Sequence, residues 1–298
     1  MREDRLIQEI RKRAGKPGKP VVAGIGDDCA VLDLEKDRYL LWAADMIVEG
    51  THFRIPDVPF KKIGWKAVAV NISDIAAMGG LPRYLTVSIG VPKGMKDSSI
   101  RGVYDGIFSA CEQYGIKLLG GDTVLSRKLV IDVSIMGAVE KSRLTLRSGA
   151  KEGDLVLVTG PVRDGKKQHA DLTPRLDEAR ALTRRNRVSS MIDTSDGIAP
   201  DAGRLCRQSR KGCLLYEGAI PLSKGLSLRD ALYYGESFEL LFTMSPRQAS
   251  KLFRDMKITG EIPGYFVIGE ITKPGKGMRL AREDGSIEPL KTEGFKHL

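Results

Sequence analysis

Aspartates recur in this chain beside glycine, serine or alanine, in Gly26-Asp27-Asp28, Ala44-Asp45, Ser73-Asp74, Gly120-Gly121-Asp122 and Asp193-Thr194-Ser195-Asp196-Gly197. Acids at turns and element ends, rather than along solvated faces, are what a magnesium and polyphosphate site requires. Mg²⁺ prefers oxygen ligands, keeps several waters, and is held by one or two carboxylates together with substrate phosphates. Phosphoryl transfer is the chemistry expected of such a set. Taken singly, Asp28 can be a turn residue, Asp122 a loop acid and Asp196 a helix N-cap, since aspartate favours all three places. Asp74 is different, because a carboxylate within an apolar helix must be paired or metal-bound.

The elements that would carry these acids follow from periodicity. Residues 21–34 and 38–44 read as strands, the first interrupted by the turn Gly24-Ile25-Gly26-Asp27-Asp28. Over residues 61–78, Ile63, Ala67, Val68, Ile72, Ile75 and Ala76 approximate the 3.6-residue period and Gly79-Gly80 ends it, which predicts a helix carrying Asp74. Asn71, three residues earlier, shares its face. Strand 84–91, helix 97–114 ended by Gly115, a short strand 116–119 leading into Gly120-Gly121-Asp122, and strand 129–139 complete a β-α-β rhythm. Basic residues and glycines over 141–154 precede a new strand at 155–159, and the domain boundary is placed there: domains 1–140 and 141–298. The second half is expected to hold helices at 174–185, 200–210 and 246–256. Strands are expected at 213–216, 239–244 and 266–271, and a hairpin turns at Asp284-Gly285.

The 298 residues, 42% hydrophobic, suffice for two domains with a real core. The chain has no apolar run of membrane-spanning length and a charged start, Met1-Arg2-Glu3-Asp4, so a cytoplasmic protein without membrane association is expected. Cys29, Cys111, Cys206 and Cys213 form no Cys-x-x-Cys pair, and with only three histidines neither structural zinc nor a disulfide framework is expected. The net charge of +10 is scattered and accompanies no nucleic-acid-binding motif. A basic surface that attracts anionic nucleotides accounts for it without a nucleic-acid partner.

Familiar nucleotide motifs do not account for the site. Gly160-Pro161-Val162-Arg163-Asp164-Gly165-Lys166-Lys167 has the glycines and lysine of a P-loop, but Lys167 stands where a hydroxyl should bind magnesium, so a charged surface loop is expected. Gly24-Ile25-Gly26 lacks the third glycine of a dinucleotide fingerprint.

The ordered set of motifs is more specific. Gly24-Ile25-Gly26-Asp27-Asp28-Cys29-Ala30-Val31-Leu32, Asp45-Met46-Ile47-Val48-Glu49-Gly50-Thr51-His52-Phe53 and Ala69-Val70-Asn71-Ile72-Ser73-Asp74-Ile75-Ala76-Ala77-Met78-Gly79 come first. Gly120-Gly121-Asp122-Thr123, Arg147-Ser148-Gly149-Ala150-Lys151 and Met191-Ile192-Asp193-Thr194-Ser195-Asp196-Gly197 follow. Together they resemble the thiamine-monophosphate kinases, within the aminoimidazole ribonucleotide synthetase-like superfamily. The resemblance implies a two-domain α/β (α+β) fold, an N-terminal domain that mediates a homodimer with the nucleotide site at its interface, and a C-terminal α/β domain. It implies ATP- and Mg²⁺-dependent phosphorylation of thiamine monophosphate to thiamine diphosphate. By the same resemblance Asp28, Asp45, Asp74, Asp122, Asp193 and Asp196 would hold magnesium, with Asp74, Asp122 and Asp196 at the reacting phosphates. Gly121, Asp122, Arg147, Ser195 and Tyr104 would meet ATP, and His52 and Glu236 the thiamine substrate. Asp27 would support its neighbour.

Departures from the family pattern bear on activity. Ala43 and Ala44 stand where hydroxyl ligands are usual, Ser237 replaces an acid beside Glu236, the 160–174 segment is short, and Thr292 stands where an aromatic would stack on thiamine. They keep two alternatives open: another ATP-dependent enzyme of the superfamily with a different small substrate, and a nucleotide-binding relative without turnover. A selenophosphate synthetase is disfavoured, since no cysteine occupies a glycine-rich N-terminal segment.

Overall fold

The helix expected over residues 61–78 forms as α2 (Phe60–Ala77), and the computed structural model buries it on almost every side, from Ile63 to Ala77. A helix apolar around its circumference belongs in an interior, and α2 lies between the two halves of the chain. The structure describes residues 3–163, 171–259 and 264–294. Before α2 come α1 (Glu3–Ala14), β1 (Val21–Ala23), β2 (Ala30–Leu32) and β3 (Arg38–Val48); after it come β4 (Leu81–Pro92), α3 (Asp97–Tyr114), β5 (Lys117–Ser126) and β6 (Val130–Glu140). These strands form one sheet in the order β1-β2-β3-β6-β4-β5. Along β6 buried and half-buried residues alternate, which puts Ile131, Val133 and Ile135 on the inner face under α2.

The second half holds β7 (Leu155–Thr159), α4 (Leu176–Arg185), β8 (Ser190–Asp193), α5 (Ile198–Ser209), β9 (Gly212–Tyr216), α6 (Leu228–Tyr233), β10 (Leu240–Met244), α7 (Pro246–Thr259), β11 (Tyr265–Thr272), β12 (Met278–Ala281) and β13 (Ile287–Pro289). Its sheet runs β13-β12-β9-β11-β7-β10-β8. Leu176, Ala179 and Leu182 of α4 with Ala249, Leu252 and Met256 of α7 share one core with α2. Ile198, Ala202 and Leu205 of α5 with Ala231 and Leu232 of α6 fill a second core on the other side. The result is a two-domain α/β fold.

Several expectations are corrected. The strand expected to stop at Leu119 continues: β5 runs through Gly120-Gly121-Asp122, paired in parallel with β4. The reason is close approach, since a Cβ on Gly121 would lie 1.7 Å from the Val87 carbonyl oxygen. The β-α-β rhythm reduces to one parallel crossover, β4-α3-β5, in a sheet whose other pairings are antiparallel. Asp196 is not an N-cap; Gly197 occupies that place before α5. Helices α1 and α6 and strand β8 were not expected. Of the charged segment read as a surface loop, residues 164–170 lie outside the described residues. Among the described residues no helix is long and apolar enough to cross a membrane.

Candidate active site

A cavity of about 470 Å³ opens where the two halves meet, within the size range of small-molecule sites. Helix α2 contributes Lys66, Val70 and Asp74 to its lining. At spacings of four these form one stripe along the helix, about 12 Å from end to end at 1.5 Å per residue.

At the Asp74 end, carboxylate oxygens of Asp28, Asp74 and Asp193 all lie within 4.8 Å of one another. Asp28 comes from the turn before β2, Asp193 from the end of β8. Burial pushes the Asp74 carboxyl well above the usual range, and the charges of Asp45, Asp193 and Asp28 push it the same way. Asp193 is raised likewise, first by burial and then by Asp28, although the Ser73 hydroxyl donates to it at 2.6 Å. Clustered acids that resist ionisation alone are stabilised by a cation between them. The donors are hard oxygens, so the set suits Mg²⁺ rather than a thiophilic metal. Asp45 is held beside them through its backbone N–H, which donates to Asn71 Oδ1 at 3.0 Å.

Two arginines border this end. Arg147 grips Asp28, with Nε 3.1 Å from Oδ2 and a terminal nitrogen 2.7 Å from Oδ1, and its backbone N–H donates to Asp27 Oδ1 at 3.1 Å. Arg204 pairs with Asp196 and, at 2.5 Å, with Asp201. Asp201 also accepts the Asp196 backbone N–H at 3.0 Å.

The opposite end is built by Lys66, His52 and Glu236. Lys66, only 1% exposed, brings Nζ to 2.5 Å from Glu236 Oε1 and donates to the His52 carbonyl at 2.9 Å. Burial lowers the Lys66 pKa while Glu236 opposes the shift. His52 Nδ1 accepts the Val48 N–H at 3.0 Å, so the neutral ring carries its hydrogen on Nε2. Glu236 adopts φ +68°, a conformation uncommon outside glycine, and its N–H donates to the Ser195 carbonyl at 2.8 Å. Gly235 makes that approach possible: a Cβ there would lie 1.9 Å from the same oxygen.

The structure thus gathers Asp28, Asp45, His52, Asp74, Arg147, Asp193, Ser195, Asp196 and Glu236 around one cavity. Gly121, Asp122 and Tyr104 are not in its lining. Asp122 sits on exposed β5 and accepts its neighbour Thr123's N–H, while Tyr104 packs on α3 beside Phe108. Sequence reasoning missed Lys66 and Arg204. Lys66 had a signal, a lone charge in the apolar stretch Trp65-Lys66-Ala67-Val68 on the stripe of Asp74, and Arg204 lies one helical turn from Asp201. Of the departures, Ala44 lines the cavity, whereas Ser237 is buried and accepts the Arg163 N–H at 3.1 Å. Thr292 packs beside Gly203 of α5, outside the lining.

Comparison with known proteins agrees with this architecture. Residues 26–139 match the AIR synthase related protein, N-terminal domain, and residues 151–280 the AIR synthase related protein, C-terminal domain. Thiamine-monophosphate kinase from Buchnera aphidicola of Schizaphis graminum is 34% identical over 99% of this chain and 98% of its own. The chain belongs to the thiamine-monophosphate kinase family. The Escherichia coli K12 thiamine-monophosphate kinase is 33% identical over 98% of this chain and 97% of its own. A solved structure of the family, AaThiL complexed with AMPPCP and TMP, superposes with a TM-score of 0.85 at 28% identity, covering 100% of this chain and 97% of that one.

Proposed function

We infer that this chain transfers the γ-phosphoryl group of ATP to a phosphate oxygen of thiamine monophosphate, giving thiamine diphosphate and ADP. The observation that carries the reading is the Asp28, Asp74 and Asp193 cluster at one end of a cavity whose other end is formed by His52 and Glu236. Thiamine monophosphate has the matching polarity, a phosphate at one end and a cationic nitrogen heterocycle system at the other.

The acceptor oxygen is already ionised at neutral pH, so the reaction requires no strong general base. It requires two polyanions brought into line with their repulsion screened. Asp28, Asp45, Asp74, Asp193 and Asp196 would hold Mg²⁺ there, and bound magnesium supplies charge neutralisation on the phosphates. Ser195 and Arg147 border the nucleotide side. Glu236 and His52 face the heterocycle end, with Glu236 as an acceptor. The alternative of a nucleotide-binding relative without turnover rests on Ala43 and Ala44, of which Ala44 lines the cavity and offers no side-chain oxygen; water can fill such a place around magnesium.

Gly121, Asp122 and Tyr104 enter this reading through a second copy of the chain. The N-terminal sheet carries its helices α2 and α3 on one side, and exposes Trp42, Met46, Tyr84 and Val124. The register puts Asp122 beside Ser88, which pairs in turn with Asp132 and thence with Met46, in one row across the sheet. Residues 1–140 are taken as the ATP-, metal-binding and dimer-forming domain and 141–298 as the second domain, in a cytoplasmic homodimer. The test is product: purified protein with ATP, Mg²⁺ and thiamine monophosphate yields thiamine diphosphate, and no product at saturating substrates counts against the reading.

A further inference from the structure

Lys66 is the charge in the cavity wall that phosphoryl transfer itself does not require. It lies in the apolar stretch Trp65-Lys66-Ala67-Val68 of the buried helix α2, and a buried ammonium persists only with partners. Its two partners come from opposite halves of the chain, the His52 carbonyl at 2.9 Å and Glu236 Oε1 at 2.5 Å. Glu236 is already fixed at its backbone, through the Ser195 carbonyl. What remains free is the swing of its side chain, and Lys66 removes that freedom at one oxygen. Oε2 is then the acceptor left for a ligand, on a side chain 24% exposed that lines the cavity.

Resting on the phosphotransfer reading above, we propose that Lys66 is a positioning residue for substrate selection. It ties the His52 loop to Glu236, so that Oε2 is presented to the end of a phosphate ester that bears N–H donors or a cationic heterocycle. Lys66 acts on that end alone. It stands two helical turns from Asp74, so the metal and nucleotide end is untouched by its removal.

The test is steady-state kinetics on wild type, Lys66→Met, Glu236→Gln and the double variant, with thiamine monophosphate varied at saturating ATP and Mg²⁺. Lys66→Met is expected to raise the KM for thiamine monophosphate about 10- to 100-fold, with kcat within about threefold and the KM for ATP within about twofold, the pattern of lost ground-state binding. Because Lys66 acts through Glu236, the double variant should resemble Glu236→Gln, and multiplication of the two single effects would overturn the proposal. In Lys66→Ala, ethylammonium chloride should lower the raised KM where potassium chloride of equal ionic strength does not; no difference between the salts overturns it. A fall in kcat with an unmoved KM would mark a structural role and overturn it as well. Should Lys66→Met fail to fold, Glu236→Gln carries the same reading, and an unchanged KM there is the contrary result. Wild type without product would count against the phosphotransfer reading, whereas wild-type turnover with an unmoved KM in Lys66→Met would count against this inference alone.

Discussion

Arg147 holds Asp28 by two parallel N–H···O contacts, 3.1 and 2.7 Å long, on a carboxylate whose side chain is fully buried. The fork neutralises one member of a crowded acidic cluster. Removing it leaves a buried charge without a partner, which costs about 3–5 kcal/mol. Arg147→Met should therefore lower the melting temperature of the metal-free protein, and added Mg²⁺ should recover part of the loss. Calorimetry or a thermal shift assay with and without Mg²⁺ checks this; a deficit indifferent to Mg²⁺ would separate Arg147 from the metal cluster.

The pH dependence of stability has a source away from the site. Arg180 of α4 donates to both oxygens of Glu140 at the end of β6, at 2.8 and 3.0 Å, and these hydrogen bonds lower the Glu140 pKa from 4.5 to about 2. A carboxyl whose folded pKa is depressed adds stability above its unfolded pKa and loses it as pH falls through the folded one. The tie between the halves should weaken between about pH 4.5 and 2. Arg180→Met should flatten the stability profile in that window, as followed by urea denaturation at stepped pH.

Gly235→Ala should separate the Glu236 loop from Ser195, because the new Cβ would lie 1.9 Å from the Ser195 carbonyl oxygen. Both ends of the cavity lose register with each other. A loss of activity of about 100-fold or more is expected, as misplacement by an ångström can cost that much. Gly275→Ala, whose Cβ meets nothing within 4 Å, is the control. Equal activity in the two variants would contradict the account of this loop.

The two-domain α/β architecture and the acids that line the cavity were legible in the sequence, whereas several short elements and the partners of those acids were not. A long apolar run ended by Gly79-Gly80 made α2 legible and an apolar period made α3 so, and Gly115, at φ +65°, ends α3 as expected. Helix α1 was missed because its face is weakly apolar and mostly charged, and β8 because its four residues run directly into the acidic motif. The acids were visible because they recur in several short Gly-, Ser- and Ala-rich motifs in a fixed order, although each motif alone is an ordinary place for aspartate. Their partners were not, since Lys66 meets Glu236 across 170 residues and Arg147 meets Asp28 across 119. Local spacing carries no trace of such pairings.

The exposed apolar face of the N-terminal sheet gives a further test. Val124 is 54% exposed on β5, two residues from Asp122. If a second copy covers this face, Val124→Arg should convert a dimer to a monomer in light scattering, by placing a charge in an apolar contact. A variant that remains dimeric would put the interface elsewhere.

The most direct test of the account is thiamine diphosphate formation by wild type and Asp74→Asn, followed by chromatography with ATP, thiamine monophosphate and Mg²⁺. Asp74 is one of the three carboxylates in the cluster. The account predicts product from wild type that stops when EDTA removes the metal, and a rate about 100-fold lower or less in Asp74→Asn, the scale of a lost electrostatic contribution to catalysis. Wild-type protein that binds ATP but forms no thiamine diphosphate, or an Asp74→Asn variant as active as wild type, would contradict it.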